Sequence, residues 1–256
     1  MHPRLRLALP LLALGMPAAA AVAVPLRIAF DAASPPTMYT DAHGGAAGVY
    51  PAIVRHAFAL MDEPAEWVAE PFRRLIATLF GGTGAAGGVV RNEERLAIAD
   101  YSGDYFVENL SLFRRAGAPE LPPGITGLRG LHIGVVRGWS YGDAFDRARA
   151  QHLFEVEEVD TDSRNFGKLR LGRLDAIVAT ELAGRMLLGA EAAGTIAPLA
   201  QPLLSIGIAL AVPKTLAARP LLQRFDQAIA TMRRDGSLEA IVAAEVERAR
   251  RLLPSS

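Results

Sequence analysis

Arg95 is the side chain of this sequence best suited to bind an anion. It stands in the stretch VVRNEERLAIADYSGDYF, which runs from Val89 to Phe106. A guanidinium keeps its charge in proteins and offers a carboxylate two parallel hydrogen bonds. We interpret the stretch as a short strand, a charged turn that holds Arg95, and a second half-buried run. Carboxylate binding is one hypothesis for Arg95, and a solvated turn after Glu93 and Glu94 is the other.

Strand and helix patterns alternate around this stretch and predict an α/β fold. The predicted strands are Leu26–Phe30, Glu66–Val68, Ala85–Val90, Leu131–Val136, Phe154–Val159 and Ser205–Val212, and residues 172–178 are predicted to form a turn that leads into a further buried strand. The predicted helices are Tyr50–Met61, Phe72–Phe80, Asp143–His152, Asn165–Leu171, Pro220–Arg233 and Ser237–Arg251, and residues 31–48 are predicted to form a turn-rich loop. The Gly- and Pro-rich segment 115–124 indicates a boundary between two lobes.

Four segments, in order along the chain, resemble signatures of the bacterial family 3 extracellular solute-binding proteins. Residues 92–105 resemble "T-x-x-R … F-S-x-P-Y", 128–138 "L-x-G-K-x-V-G-V-x-x-G", 171–176 "L-x-x-G-R-x-D-A", and 225–241 "N-x-A-I-x-x-L-x-x-D-G-T-L-x-x-I". The resemblance implies a two-lobed periplasmic-binding-protein fold of type II, in which the second lobe is inserted in the first and two hinge strands join them. We expect lobe 1 to comprise residues 24–116 and 206–256, and lobe 2 to comprise residues 117–205.

The resemblance also implies which residues bind ligand in the cleft between the lobes. Arg95 matches the arginine that holds the ligand's carboxylate, and Ser140 matches a second-lobe hydroxyl that donates to the same group on closure. Phe72 matches a wall that packs on the ligand, and Trp139 flanks Ser140. Core packing is the alternative for both aromatic residues, and turn chemistry is the alternative for Ser140. Asp31, at the end of the first strand, is a further candidate acid or a cap of the loop that follows.

Several positions depart from the pattern of the family. Gly88 and Val90 stand where relatives that bind amino acids carry small hydroxyl residues. Thr180 stands where relatives carry the acid that binds the α-ammonium, with Glu181 beside it. Ser34 stands in place of an aromatic lid. A ligand with a carboxylate therefore fits the expected site better than any particular amino acid does.

Composition limits the other possibilities. Arg4 and Arg6 precede an apolar run and small residues, which predicts a signal peptide over residues 1–23 and export to the periplasm. The chain has no cysteine, which excludes disulfides, a lipid anchor on cysteine and cysteine-based zinc sites. Its 27 basic and 27 acidic residues argue against nucleic acid as a partner. The histidines at 43, 56, 132 and 152 form no ligand pattern, so we expect neither a metal nor a cofactor.

Two functions fit these observations. The first is a monomeric, non-enzymatic receptor that closes on a small carboxylate-bearing solute, an amino acid or a derivative of one. It delivers this solute to the permease of an ABC importer or to a membrane sensor. The alternative is an exported enzyme on the same scaffold, such as a cyclohexadienyl dehydratase-like lyase. An enzyme needs an acid or base near the reacting bond, and Glu181 is the candidate that the resemblance places near the ligand.

Overall fold

The structure, a computed structural model, describes residues 25–189 and 194–252. The predicted signal peptide and its cleavage site near Ala23 lie outside this range. The strands are β1 (Leu26–Asp31), β2 (Ala33–Ser34), β3 (Met38–Thr40), β4 (Ala46–Ala47), β5 (Ala65–Glu70), β6 (Ala85–Val90), β7 (Ala99–Tyr101), β8 (Phe106–Arg115), β9 (His132–Val136), β10 (Glu155–Val159), β11 (Ala176–Thr180), β12 (Ile196–Pro198) and β13 (Leu204–Pro213). The α-helices are α1 (Val49–Leu60), α2 (Phe72–Phe80), α3 (Glu93–Ile98), α4 (Asp143–Ala150), α5 (Asp162–Arg170), α6 (Glu181–Leu188), α7 (Arg219–Asp235) and α8 (Ser237–Leu252).

Two long strands join the two halves of the main sheet. The strand order is β10-β9-β11-β8-β13-β6-β1-β5, with β12 beside β8 and β7 beside β13. Strands β1, β5 and β6 are parallel to one another, and so are β9, β10 and β11. Strands β8 and β13 run antiparallel to each other and to their outer neighbours. The chain therefore crosses between the halves along β8 and returns along β13, as the predicted pair of hinge strands requires.

The apolar core is divided in the same way as the sheet. On one side, β1, β6 and β13 pack against α1, α7 and α8 on one face and against α2 on the other. On the other side, β8, β9 and β11 pack against α4 on one face and against α5 and α6 on the other. Each half thus has a sheet between helices, which confirms the predicted two-lobed α/β fold. The exact lobe boundaries after residues 116 and 205 stay predictions.

The local predictions succeeded where apolar spacing was regular. Helix α2 and strand β6 have the predicted bounds, because Leu75 and Leu79 form one buried face and β6 is a run of small buried residues. The charged turn predicted at Arg95 is wrong: the residue lies in the short helix α3, which Asn92 caps by accepting the Arg95 N–H at 2.9 Å. The predicted loop 31–48 contains a small sheet of β2, β3 and β4. None of the helices in the described range has the length and apolarity that a membrane crossing needs.

Candidate functional site

A cavity lies where β6, α3 and β8 face the start of the second half of the chain. It offers about 30 Å³ to the centre of a water-sized sphere, and about 420 Å³ when all space between the atoms and in the open mouth is counted. Most of its lining is apolar, and the charged residues are one arginine and one glutamate. The lining residues are Met38, Tyr50, Phe72, Gly88, Val89, Val90, Arg95, Glu108, Leu110, Trp139, Ser140, Tyr141, Thr180, Ile206 and Ile208. Seven of the ten positions predicted from sequence are thereby brought to one place.

Arg95 is a buried cation whose hydrogen-bonding capacity is only partly used. The residue is 4% exposed. Its guanidinium donates hydrogen bonds to the carbonyl oxygens of Val90 at 3.2 Å and Gly138 at 3.4 Å. It also lies 5.7 Å from the centre of the Phe72 ring. Within the described part of the chain it forms no ion pair with a carboxylate. A guanidinium has five N–H donors and keeps its proton in proteins, so several donors are available for an anion.

Burial disfavours the charged form of Arg95. Desolvation lowers the pKa of Arg95, and the charges of Tyr101, Asp146 and Glu94 oppose that shift. A buried cation without a counter-ion costs several kcal/mol even after the protein relaxes around it. An anionic ligand would remove most of that cost, because it would supply both the opposite charge and the missing acceptors.

The two lobes touch beside Arg95. The rings of Phe72 and Trp139 lie with their centres 5.9 Å apart, and Arg147 of α4 approaches Glu93 of α3 to 3.7 Å. The bond from Arg95 to the Gly138 carbonyl also crosses the cleft. These contacts bring the lobes together over the cavity, and the two aromatic rings form its wall.

The hydroxyl groups of Ser140 and Thr180 already form hydrogen bonds within the second lobe. The Ser140 hydroxyl donates to Asp146 and accepts the Gly142 N–H at 3.3 Å. Thr180 caps helix α6 by accepting the Ala183 N–H at 3.2 Å. Both residues line the cavity, but Ser140 must release Asp146 before it can donate to a ligand.

The structure explains the glycine at position 88 sterically and gives Val90 a role through its backbone. A Cβ atom at Gly88 would lie 2.5 Å from a ring carbon of Tyr50 and 3.0 Å from the sulfur of Met38. A serine therefore does not fit at Gly88 unless these neighbours move. Val90 contributes its carbonyl oxygen to Arg95, so its apolar side chain does not prevent it from shaping the site.

Three predicted residues do not line the cavity. Asp31 is buried at the end of β1, where it accepts the Ser34 hydroxyl at 2.6 Å, and burial raises its pKa. Glu181 accepts from Arg185 at 2.8 Å and from Asn109 at 3.4 Å, and the hydrogen bond from Arg185 lowers its pKa. Glu181 is therefore engaged on the surface of α6 in this structure.

The residue that sequence reasoning missed is Glu108. It is the third residue of β8, is 2% exposed, and accepts the Tyr50 hydroxyl at 2.7 Å. Burial raises its pKa to about 8, helped by the charges of Glu181 and Asp162 and opposed by the bond from Tyr50. One feature of the sequence could have indicated Glu108: it is an acid in a segment whose other inward residues are mostly apolar, FVENLSLF. A buried acid of this kind usually has a function or a partner.

The comparisons with known proteins agree with this architecture. The sequence profile of the bacterial extracellular solute-binding proteins, family 3, matches residues 26–244. A histidine kinase sensor domain with similarity to periplasmic binding proteins superposes with a TM-score of 0.73 at 21% identity, over 86% of this chain and 95% of the other. An ancestral arginine-binding protein bound to arginine does so with a TM-score of 0.71 at 21% identity, over 86% and 97% of the two chains.

A third similar structure connects the fold with an enzyme. It is an ancestral amino acid-binding protein described as a precursor of cyclohexadienyl dehydratase, with a TM-score of 0.69 at 17% identity over 87% of this chain and 95% of the other. At these identities the likeness shows the fold alone. A comparison with curated protein sequences finds no match. Because the family profile spans nearly the whole described chain, this protein belongs to the bacterial extracellular solute-binding proteins, family 3.

Proposed function

We propose that this chain is an exported receptor that captures a small carboxylate-bearing solute, an amino acid or a derivative of one, between its lobes. The observation that carries the proposal is the buried guanidinium of Arg95, which contacts two carbonyl oxygens and no carboxylate in the described residues. An anion from outside the protein would complete this site. Closure of the lobes would then exclude water from the ion pair and strengthen it.

The receptor would transmit its state through lobe closure. The Phe72–Trp139 contact and the bond from Arg95 to Gly138 connect the lobes at the cavity, so a ligand there acts on both lobes at once. A permease of an ABC importer or a membrane sensor would read the closed form. We further propose that residues 1–23 are a signal peptide cleaved near Ala23 and that the periplasmic protein is a monomer.

A thermal-shift screen tests the proposal. The panel holds the common amino acids, small mono- and dicarboxylates, and polyamines as a cationic control. A ligand at about 100 times its dissociation constant stabilises by about 2.7 kcal/mol, which raises the midpoint by roughly 5 to 10 °C in a chain of this size. Arg95→Met should abolish the shift, whereas the matched control Arg219→Ala removes an exposed arginine and should leave it unchanged.

One observation favours a second candidate, a cyclohexadienyl dehydratase-like lyase. Glu108 lines the same cavity as Arg95, and its pKa of about 8 keeps it protonated at neutral pH, as a general acid must be. The test is the disappearance of prephenate in the presence of the protein. Turnover that is lost in Glu108→Gln would support the lyase, and an unchanged prephenate concentration would exclude it.

A further inference from the structure

Two ionisable residues of opposite type line the cavity. Arg95 and Glu108 both line it, but they form no ion pair in the described structure, and neither is among the groups that shift the other's pKa. The lining also includes Phe72, Leu110 and Ile206, which are apolar. A ligand held by its carboxylate at Arg95 therefore shares the cavity with apolar side chains and a buried acid.

The acid has the capacity to bind a further group. One oxygen of Glu108 accepts from Tyr50, and the described residues provide no other hydrogen bond to its carboxyl group. The strand carrying it, β8, pairs with β13 at Ile206 and so forms part of the hinge. The position of Glu108 is thus fixed by the sheet and by α1, which carries Tyr50.

The groups around Glu108 favour a cation there. Those that act on its charge are the hydroxyl of Tyr50 from α1, Glu181 from the start of α6, and Asp162 from the start of α5. Tyr105, just before β8, is a further neighbour, because Glu108 helps to raise its pKa. Glu181 is neutralised in part by Arg185. The groups that act on Glu108 are acids and a neutral phenol, so an ammonium group fits beside it and a second carboxylate does not.

We propose that Glu108 binds a cationic nitrogen of the ligand and gives up its proton to solvent when that ligand enters. The proposal rests on the proposed function, since it assigns the second end of the same solute. It also replaces the acid that is absent at Thr180 by one on the hinge strand. The ligand is then a carboxylate that also carries an amino, guanidino or other cationic group.

Proton release follows from the protonation state of Glu108 before a ligand binds. With a pKa of about 8, Glu108 is mostly protonated at pH 7. If a cation lowers that pKa well below 7, binding at pH 7 releases about 0.9 proton per ligand. The affinity for the same ligand should therefore rise close to tenfold per pH unit between about pH 6 and pH 7.5, while the ligand's own ammonium stays charged.

Calorimetric titration of the purified protein tests this assignment. The probes are the α-amino acids and the straight-chain ω-amino acids 4-aminobutanoate to 6-aminohexanoate, each compared with the same acid without its amino group. The apparent binding enthalpy at pH 7 is measured in phosphate and in Tris, whose ionisation enthalpies differ. The difference between the two apparent enthalpies, divided by the difference between the two ionisation enthalpies, gives the number of protons released. We expect at least tenfold weaker binding of the deaminated partner and release of nearly one proton with the amino ligand.

Variants separate the two acids near the site. Glu108→Gln should abolish proton release and the pH dependence and weaken amino ligands at least tenfold, while the deaminated acids bind as before. Tyr50→Phe should retain proton release, and Glu181→Gln should retain both proton release and the preference for amino ligands. If Glu181→Gln rather than Glu108→Gln removes selectivity, the assignment to Glu108 is overturned.

The remaining outcomes distinguish this proposal from the proposed function. Equal binding of amino and deaminated acids, with no proton released and loss of both in Arg95→Met, would overturn the role of Glu108 and leave the receptor intact. Binding of no carboxylate, or binding unaffected by Arg95→Met, would overturn both.

Discussion

The free energy of unfolding should depend on pH through Glu108. A glutamate has an ordinary pKa of 4.5, and burial in the cavity raises that of Glu108 to about 8. Between these two values the folded protein holds a proton that the unfolded chain does not. The contribution of the neutral acid is fully present below about pH 4.5 and is lost as the pH rises through about 8.

The size of this effect follows from the two pKa values. One pKa unit corresponds to about 1.4 kcal/mol, so a rise from 4.5 to about 8 is equivalent to roughly 4 to 5 kcal/mol of stability over the full range. Most of that change falls between pH 5 and pH 9 and should amount to about 4 kcal/mol. Glu108→Gln keeps the shape and accepts the same Tyr50 hydroxyl, but it cannot ionise.

Urea denaturation from pH 5 to pH 9 is the assay. Relative to Glu108→Gln, the unmodified protein should lose about 4 kcal/mol over this range, or more than about 1 M in urea midpoint at an ordinary slope. Asp31 is the same in both proteins, so its contribution cancels in the difference. Glu66→Gln, which removes an exposed carboxylate, should follow the unmodified protein. Parallel curves for the protein and Glu108→Gln would refute the argument that burial keeps this acid neutral.

Three further predictions follow from the site. Gly88→Ser should destabilise the protein by about 1 to 3 kcal/mol through overpacking, because its Cβ would press on Tyr50. Urea denaturation measures this change, and a stability equal to that of the unmodified protein would contradict the prediction. Thr180→Ala should cost about 0.5 to 2 kcal/mol through loss of a helix cap and leave ligand affinity within twofold by calorimetry, and a tenfold loss of affinity would show direct ligand contact instead. Phe72→Ala removes the ring whose centre lies 5.9 Å from that of Trp139, so it should weaken ligand binding by tenfold or more with little effect on proton release. An unchanged ligand affinity would show that neither ring contacts the ligand.

The sequence predicted the fold well because its signals were local. Helix α2 has apolar residues at helical spacing, and β6 is a short buried run, so both have the predicted bounds. The long strand β8 was not predicted, because Glu108 and Asn109 interrupt its apolar pattern. Helix α6 was not predicted either, since its start follows β11 directly and Thr180 caps it without an intervening loop.

The site was predictable in position but not in chemistry. The resemblance to the family was sufficient to predict that Arg95, Ser140 and Phe72 lie at one cavity. The role of Glu108 depends on contacts between distant segments, since Tyr50 lies 58 residues earlier in the chain. Likewise, the glycine at position 88 is explained only by the side chains that occupy the space beside it.

The central claim is that the buried guanidinium of Arg95 binds the carboxylate of a solute. Arg95→Met is the most direct test. The variant loses two hydrogen bonds, but it also loses the cost of burying an unpaired charge. The free energy of unfolding without ligand should therefore change by less than about 1 kcal/mol. Calorimetric titration should find a carboxylate from the panel that binds the unmodified protein and Arg219→Ala alike, and at least 100-fold more weakly to a folded Arg95→Met. Equal affinity for that carboxylate in the folded Arg95→Met variant would contradict the account.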